Sequence, residues 1–298
     1  MVSVITITYN RAHLIGETIQ SVLAQTYTDI EYIIVDDGSE DSTRQVVSGF
    51  NDERIKYHQL PRNGNLNQVR NYGLSQATGT YIAFVDSDDL WHPDKLQLQV
   101  KLMKENANLG FTFTEAQIFN KEKIIFKNIY NVKYKGDYSS GFFIPLVTDV
   151  QFFIFPSTIM ILKECLQTTG LLDENLMCAD KDLYAQLALN FEGRLLPEVL
   201  VRMRRHDSNI SNHTDYHTQK ILEDEIITLN KFHKEGSLNK RLLRKMSAVF
   251  YYKQGEFFYH QGKYGESRIR YSKSLLNNPF KPKTLVKYML SALGIKLT

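Results

Sequence analysis

Three short runs constrain what this chain can become. "VSVITIT" (2–8), "YIIVDD" (32–37) and "YIAFVD" (81–86) are short and largely β-branched or aromatic, and Ile33 to Val35 and Ile82 to Val85 lack polar alternation. That is the pattern of strands covered on both faces of a mostly parallel sheet. Amphipathic stretches separate them, "HLIGETIQSVLAQ" (13–25), "STRQVVSGF" (42–50) and "NQVRNYGLSQA" (67–77), and "DKLQLQVKLM" (94–103) follows the third run. The resulting βαβα rhythm predicts an α/β fold with helices on both faces of the sheet.

The second and third runs end in carboxylates. Asp36 and Asp37 in "VDDGS", and Asp86, Asp88 and Asp89 in "VDSDD", fall at the carboxyl ends of strands, where open α/β sheets bind ligands. An unpaired carboxylate is expensive to take out of water, so three at the end of a buried run call for a cation. The plain alternative is a polar loop that caps the helix beginning at "HPDKLQ". Familiar phosphate and metal loops are absent from the sequence: no G-x-G-x-x-G follows a strand, and there is no G-x-x-x-x-G-K-[ST], no EF-hand pattern and no G-x-S-x-G elbow. An acidic crevice without a glycine loop can hold a nucleoside diphosphate if Mg²⁺ or Mn²⁺ bridges carboxylate to phosphate.

Composition narrows the partners. The chain has 298 residues with 36 Lys and Arg against 33 Asp and Glu, a net charge of +3 that gives no argument for nucleic acid. Two cysteines, Cys165 and Cys178, make neither a disulfide framework nor a four-cysteine zinc site, which fits a reducing, cytoplasmic compartment. "MVSVITITYN" reads as an opening strand rather than a signal peptide, and no run approaches the roughly 18 apolar residues of a membrane span.

Beyond about residue 110 the pattern changes. "KNIYNVKYKGDYSSGFF" (127–143) reads as hairpins or a loop. "STIMILKECLQTTGLLDE" gives a strand, a short helix and a turn, "DKDLYAQLALNF" a helix opening on Asp180 and Asp182, and "LLPEVLVRMRRH" a strand. After His206 the sequence is largely helical. From Lys263 onward eight Lys and Arg face Glu266 alone, and "TLVKYMLSALGIKL" has helical apolar spacing, which fits either a packed helix or one lying on an anionic membrane surface at the inner face of the cell membrane.

"SVITITYNRAHLIGETIQSVLAQTYTDIEYIIVDDGSEDST" followed by "NGNLNQVRNYGLSQATGTYIAFVDSDDLWHPDKL" resembles the family 2 glycosyltransferases. The likeness covers residues 1 to 110 and resumes at "LLDENLMCADKDLYAQLAL" and "VRMRRHDSNIS". It implies a GT-A-type fold and inverting transfer from a nucleotide-diphosphate sugar to a glycan or lipid-linked acceptor. It also implies a transferase domain over 1–212, with a nucleotide-binding part at 1–110 and an acceptor-side part at 111–212, before a helical region at 213–298.

The resemblance assigns roles by position. Thr8, Tyr9 and Arg11 would line the base pocket, Asp37 would accept from the uracil imide, and Arg70 would sit near the nucleotide. Asp86 would approach the ribose or metal waters, and Asp88 would ligate the metal, with Asp89 sharing that task or capping the next helix. Asp180 matches the catalytic base, with Asp182 its rival, although Ala179 stands where the family commonly has Glu. His206 would approach the diphosphate or metal beside Arg204 or Arg205. A nucleotide-sugar binder that has lost turnover is the alternative reading.

Overall fold

The computed structural model describes residues 1–121, 123–130, 143–148, 153–177, 179–206, 209 and 215–294. Most of the expected 127–143 loop and Cys178 lie outside the described residues. The chain divides into two compact units, residues 1–209 and 210–298.

Among the described residues the first unit has nine strands: β1 (Val2–Thr8), β2 (Ile30–Asp36), β3 (Ile55–Gln59), β4 (Tyr81–Phe84), β5 (Leu90–Trp91), β6 (Leu109–Asn120), β7 (Lys123–Phe126), β8 (Met160–Leu162) and β9 (Glu192–Arg204). They run in the order β3-β2-β1-β4-β8-β6-β9-β5, with β7 paired to β6 outside that path. The expected α/β class holds. The sheet is parallel through β3, β2, β1 and β4 and mixed beyond, because β8 runs antiparallel between β4 and β6 whereas β6 and β9 are parallel.

Helices α1 (Ile15–Leu23), α2 (Thr43–Ser48), α3 (Leu66–Gln76), α4 (Lys95–Glu105), α5 (Phe143–Thr148), α6 (Cys165–Thr169) and α7 (Asp180–Asn190) complete this unit. The unbroken apolar runs are strands because both sheet faces are covered: every residue of β2 is buried, and Val4, Ile15, Ile19, Tyr32, Ile34, Ala83, Leu96 and Val100 share one core. Burying each such side chain contributes about 1.5–3 kcal/mol, which outweighs the modest helix propensity of a six- to eleven-residue segment.

One packing feature sets up the site. Asparagine is a poor helix former, yet Asn65, Asn67 and Asn71 crowd the start of α3. Asn65 caps the helix, accepting from the backbone N–H groups of Asn67 and Gln68. Side-chain amides of all three donate to carbonyls of the segment entering α7: Asn65 to Glu174 (2.9 Å), Asn67 to Leu176 (2.6 Å), and Asn71 to Leu172 (2.9 Å). This ladder fixes the approach to Asp180 against the helix that carries Arg70.

The second unit contains α8 (Asp215–Lys234), α9 (Lys240–His260), α10 (Tyr264–Asn277) and α11 (Pro282–Leu293). Close packing of α9 on α10 depends on Gly255, where a Cβ would lie 2.5 Å from the Tyr271 ring. Ser267 and Ser274 donate across the pair to the carbonyls of Gly255 (2.9 Å) and Ala248 (2.6 Å). No helix among the described residues is long and apolar enough to cross a membrane.

Candidate active site

The acidic strand ends converge, and each carboxylate has its own environment. Asp36, at the end of β2, is fully buried and accepts from the Ser39 N–H (2.7 Å) and the Tyr57 hydroxyl (2.5 Å), a structural hub for the turn. Its hydrogen bond and burial push the Tyr57 phenol up. Asp37 is also buried and accepts from the backbone N–H of Asn63 (2.8 Å) and Gly64 (2.9 Å). Gly38 follows with φ +74°, and a Cβ there would lie 2.7 Å from the Arg62 backbone nitrogen, so the turn admits only glycine without displacement.

Arg62 occupies the neighbourhood assigned to the base. Its guanidinium centre lies 3.8 Å from the Tyr9 ring centroid, and its Nη1 pairs with Asp37. Nearby, Thr8 Oγ1 is buried without a hydrogen-bond partner among the described residues, a polar atom left for a ligand. Arg11 sits half-buried, its backbone N–H donating to Thr43 Oγ1 (3.0 Å).

Beyond β4 the three aspartates diverge. Asp86 faces Arg70, whose Nη2 donates to its Oδ1 (3.2 Å). Its carboxyl is raised above the usual range, first by desolvation in the crevice and then by Asp88 and Asp180, while Arg70 pulls the other way; a side chain still 40% exposed keeps that shift short of a fully buried acid's. Asp88 Oδ2 lies 2.9 Å from His206 Nε2 and accepts from Asn209 Nδ2 (3.1 Å). Asp89 instead turns inward: buried, it accepts from the Ser157 hydroxyl (2.5 Å) and the Arg204 N–H (3.0 Å), and burial raises its carboxyl well above the ordinary value.

Ser157 is a residue that sequence reasoning missed. The Asp86 N–H donates to its Oγ (3.0 Å), and its carbonyl accepts from the Trp91 indole (2.8 Å), so it ties both ends of the acidic loop. Arg204 belongs to the same frame, with Nε donating to the Asp88 carbonyl (3.1 Å) and Nη2 to Glu17 (2.7 Å). Arg205 is held through its backbone N–H to the Phe119 carbonyl (2.7 Å). Nothing in the local sequence flags Ser157. The dense asparagines around Arg70, by contrast, are a signal that could have pointed to a side-chain clamp.

The decisive geometry is at Arg70. Its buried Nη1 donates to both oxygens of Asp180 (2.9 Å each) while Nη2 holds Asp86, so one guanidinium joins α3, the end of β4 and the start of α7. Asp180 is the first residue of α7. Asp182, two residues further along α7, is buried, as is Ala179. The cavity of about 610 Å³ between α1, β5 and β9, lined by Glu17, Trp91, His92 and Arg202 among others, includes none of the candidate residues.

A divalent ion fits the donor set only in part from protein groups. No group of three or more His, Cys, Asp or Glu side chains among the described residues is arranged to hold one. Asp88 and His206 supply one carboxylate and one imidazole, leaving the remaining positions to phosphate oxygens and water, as Mg²⁺ and Mn²⁺ sites commonly do.

The family model described as Glycosyl transferase family 2 matches residues 3–158, just over half of the chain. The chain belongs to glycosyltransferase family 2. It is similar to the UDP-Glc:alpha-D-GlcNAc-diphosphoundecaprenol beta-1,3-glucosyltransferase WfgD of Escherichia coli, at 40% identity over 127 residues, 43% of this chain and 50% of WfgD. The matched segment thus spans about half the length of that relative. Among solved structures, this family 2 chain superposes on S. aureus TarS 1–349 in complex with UDP-GlcNAc with a TM-score of 0.71 at 18% identity, covering 100% of this chain and 93% of TarS 1–349. The mannosyltransferase PcManGT of Pyrobaculum calidifontis, solved with GDP-Man and Mn²⁺, superposes with a TM-score of 0.62 at 17% identity, over 98% of this chain and 79% of that one. Both likenesses establish the GT-A-type fold.

Proposed function

We propose that this family 2 chain is an inverting, metal-dependent glycosyltransferase that moves a sugar from a nucleotide-diphosphate sugar, here a UDP-sugar, to a hydroxyl acceptor in polysaccharide, glycolipid or glycan synthesis. The observation that carries the reading is the Arg70 junction, which brings Asp180 from α7 into the crevice of the DSDD loop. WfgD, whose name gives UDP-Glc as donor and a lipid diphosphate as acceptor, and TarS, solved with UDP-GlcNAc, support the donor class.

In this reading Tyr9, Thr8, Arg11 and Asp37 hold the base, Asp86 the ribose, and Asp88 with His206 a Mn²⁺ or Mg²⁺ ion. When bound, that ion supplies positive charge against the charge growing on the leaving diphosphate. Asp180 takes the proton of the acceptor hydroxyl as its oxygen forms a bond to the anomeric carbon and the bond to the diphosphate breaks on the opposite side, inverting the configuration. Arg70 Nη1 occupies both oxygens of Asp180, which leaves neither free for the acceptor hydroxyl. Arg70 therefore has to turn toward the diphosphate for Asp180 to act, which couples donor binding to base release.

A second reading, a nucleotide-sugar binder without turnover, has one observation in its favour: Ala179 presents no carboxylate beside Asp180. Calorimetric titration of UDP with and without Mn²⁺, together with a transfer assay, separates them. Asp180→Asn is expected to abolish transfer and retain metal-dependent UDP binding, and Asp88→Asn to lose that binding. A wild-type protein that binds UDP but transfers nothing to any hydroxyl acceptor leaves the second reading standing. Contact with the cytoplasmic membrane face through the basic C-terminal region belongs to the same proposal.

A further inference from the structure

We propose that the outward face of α11, together with the end of α10, is a docking surface for an anionic lipid bilayer. The proposal gives a specific face to the membrane contact named above and is independent of the catalytic roles. The helix is inverted relative to an ordinary surface helix, which buries its large apolar side chains and exposes its polar ones. Its inward residues are Thr284 and Ser291, and Lys287, whose ammonium reaches Glu256 (3.3 Å) and lies 4.4 Å from the Tyr259 ring centroid. Outward stand Leu285, Val286, Met289 and Leu293, between 44% and 71% exposed.

Leu285, Met289 and Leu293 recur at i, i+4 and i+8, so they form one stripe with Val286 beside it. Phe280, 90% exposed in the turn before the helix, and Leu276 at the end of α10, 77% exposed, add large apolar side chains to the exposed surface of this helix pair. A contiguous apolar row of this kind on the outside of a folded unit marks an interaction surface.

Charge selects the occupant. The exposed charged residues within α10 and α11 are Arg268, Lys273 and Lys283, against Glu266 alone. Two copies of this face pressed together would set like charges against one another. A bilayer with acidic headgroups instead pairs with the cations while its acyl boundary receives the leucines and Phe280, the arrangement of an interfacial helix.

The test is flotation of the full chain with vesicles of phosphatidylcholine alone or mixed with phosphatidylglycerol, at low and high salt. Wild-type protein is expected to float with the acidic vesicles and to be released by salt. The double variant Leu285→Glu with Leu293→Glu should abolish flotation, and Lys273→Glu with Lys283→Glu should weaken it by about fivefold or more for each lysine replaced. Circular dichroism checks that the variants keep their helices, and Phe280→Ser, lying in a turn, serves if they do not. Wild-type protein that stays unbound, or variants that float as well as wild type, would overturn the proposal. So would light scattering that finds a dimer which Leu285→Glu with Leu293→Glu converts to monomer. UDP titration of the same variants reports on the catalytic reading separately, so the two can fail independently.

Discussion

Replacing Arg62 with alanine should make the protein bind UDP more tightly. The guanidinium centre sits 3.8 Å from the Tyr9 ring centroid, one stacking layer away, and its Nη1 pairs with Asp37. Those are the two groups assigned to the uracil ring, its stacking face and its imide acceptor, so base and Arg62 compete for one place. The competition is modest because Arg62 is 46% exposed. A screened ion pair is worth about 0–1 kcal/mol, and an exposed cation–π contact about 0.5–1 kcal/mol. Together they impose about 0.5–2 kcal/mol on the incoming base, and removing them predicts UDP affinity about 2- to 30-fold higher. Asp37 is not orphaned by the change, since the N–H groups of Asn63 and Gly64 still donate to it. Calorimetry with UDP measures the effect, and pyrophosphate with Mn²⁺, which lacks the base, should bind wild type and Arg62→Ala alike. Unchanged or weaker UDP binding in Arg62→Ala refutes the competition. A Tyr9→Ala variant that binds UDP as well as wild type shows instead that the base pocket itself is misassigned.

Further expectations concern positioning and stability. Ser157→Ala removes the donor to buried Asp89 and the acceptor of the Asp86 N–H; urea unfolding should show a loss of about 1–3 kcal/mol, and UDP affinity should fall with it, whereas an unaltered midpoint would mean the loop is held by other contacts. Asn67→Ala cuts the amide bonds to the Leu176 and Asp173 carbonyls, so transfer rate should drop while the UDP dissociation constant stays within about threefold, the scatter expected of an uninvolved site; equal losses in both would place the effect on folding. Lys95 is fully buried, 4.0 Å from the Trp91 ring centroid, and burial holds its ammonium well below its usual pKa. The folded protein then binds fewer protons at this site than the unfolded chain, so its contribution to stability rises with pH between the lowered folded value and 10.5. Lys95→Met should remove that slope in unfolding experiments from neutral to alkaline pH, and an identical slope in both proteins would show that Lys95 keeps its charge inside.

Strands β2 and β4 were legible because they are buried throughout, which leaves an apolar run that little else produces in so short a stretch. The acidic crevice was legible for a related reason: Asp37, Asp86 and Asp88 follow those runs directly, so locating the strands locates the strand ends. What the sequence left out is what depends on partners far along the chain. "DSDD" does not say that Asp89 turns inward, because that is decided by Ser157, 68 residues away, and by the Arg204 N–H, 115 residues away. Helical spacing in "TLVKYMLSALGIKL" revealed a stripe but not which side docks, and α11 packs on the side that a hydropathy argument would leave in water.

Arg70 is the strongest case of information carried by topology. Its immediate neighbours in sequence are Val69 and Asn71, whereas Asp86 and Asp180, which it holds, lie 16 and 110 residues away. An arginine keeps its charge at any accessible pH, so it pulls against the desolvation and the acidic neighbours that raise the Asp86 carboxyl. The same charge would be required by a diphosphate arriving between the two acids. In the proposed reading one guanidinium serves both needs in sequence, holding the acids first and turning to the phosphates when the donor binds. The asparagine ladder from α3 to residues 172–176 makes that exchange workable, because it fixes the backbone leading into α7 by bonds that do not involve Arg70. Asp180 therefore keeps its position when the guanidinium leaves it.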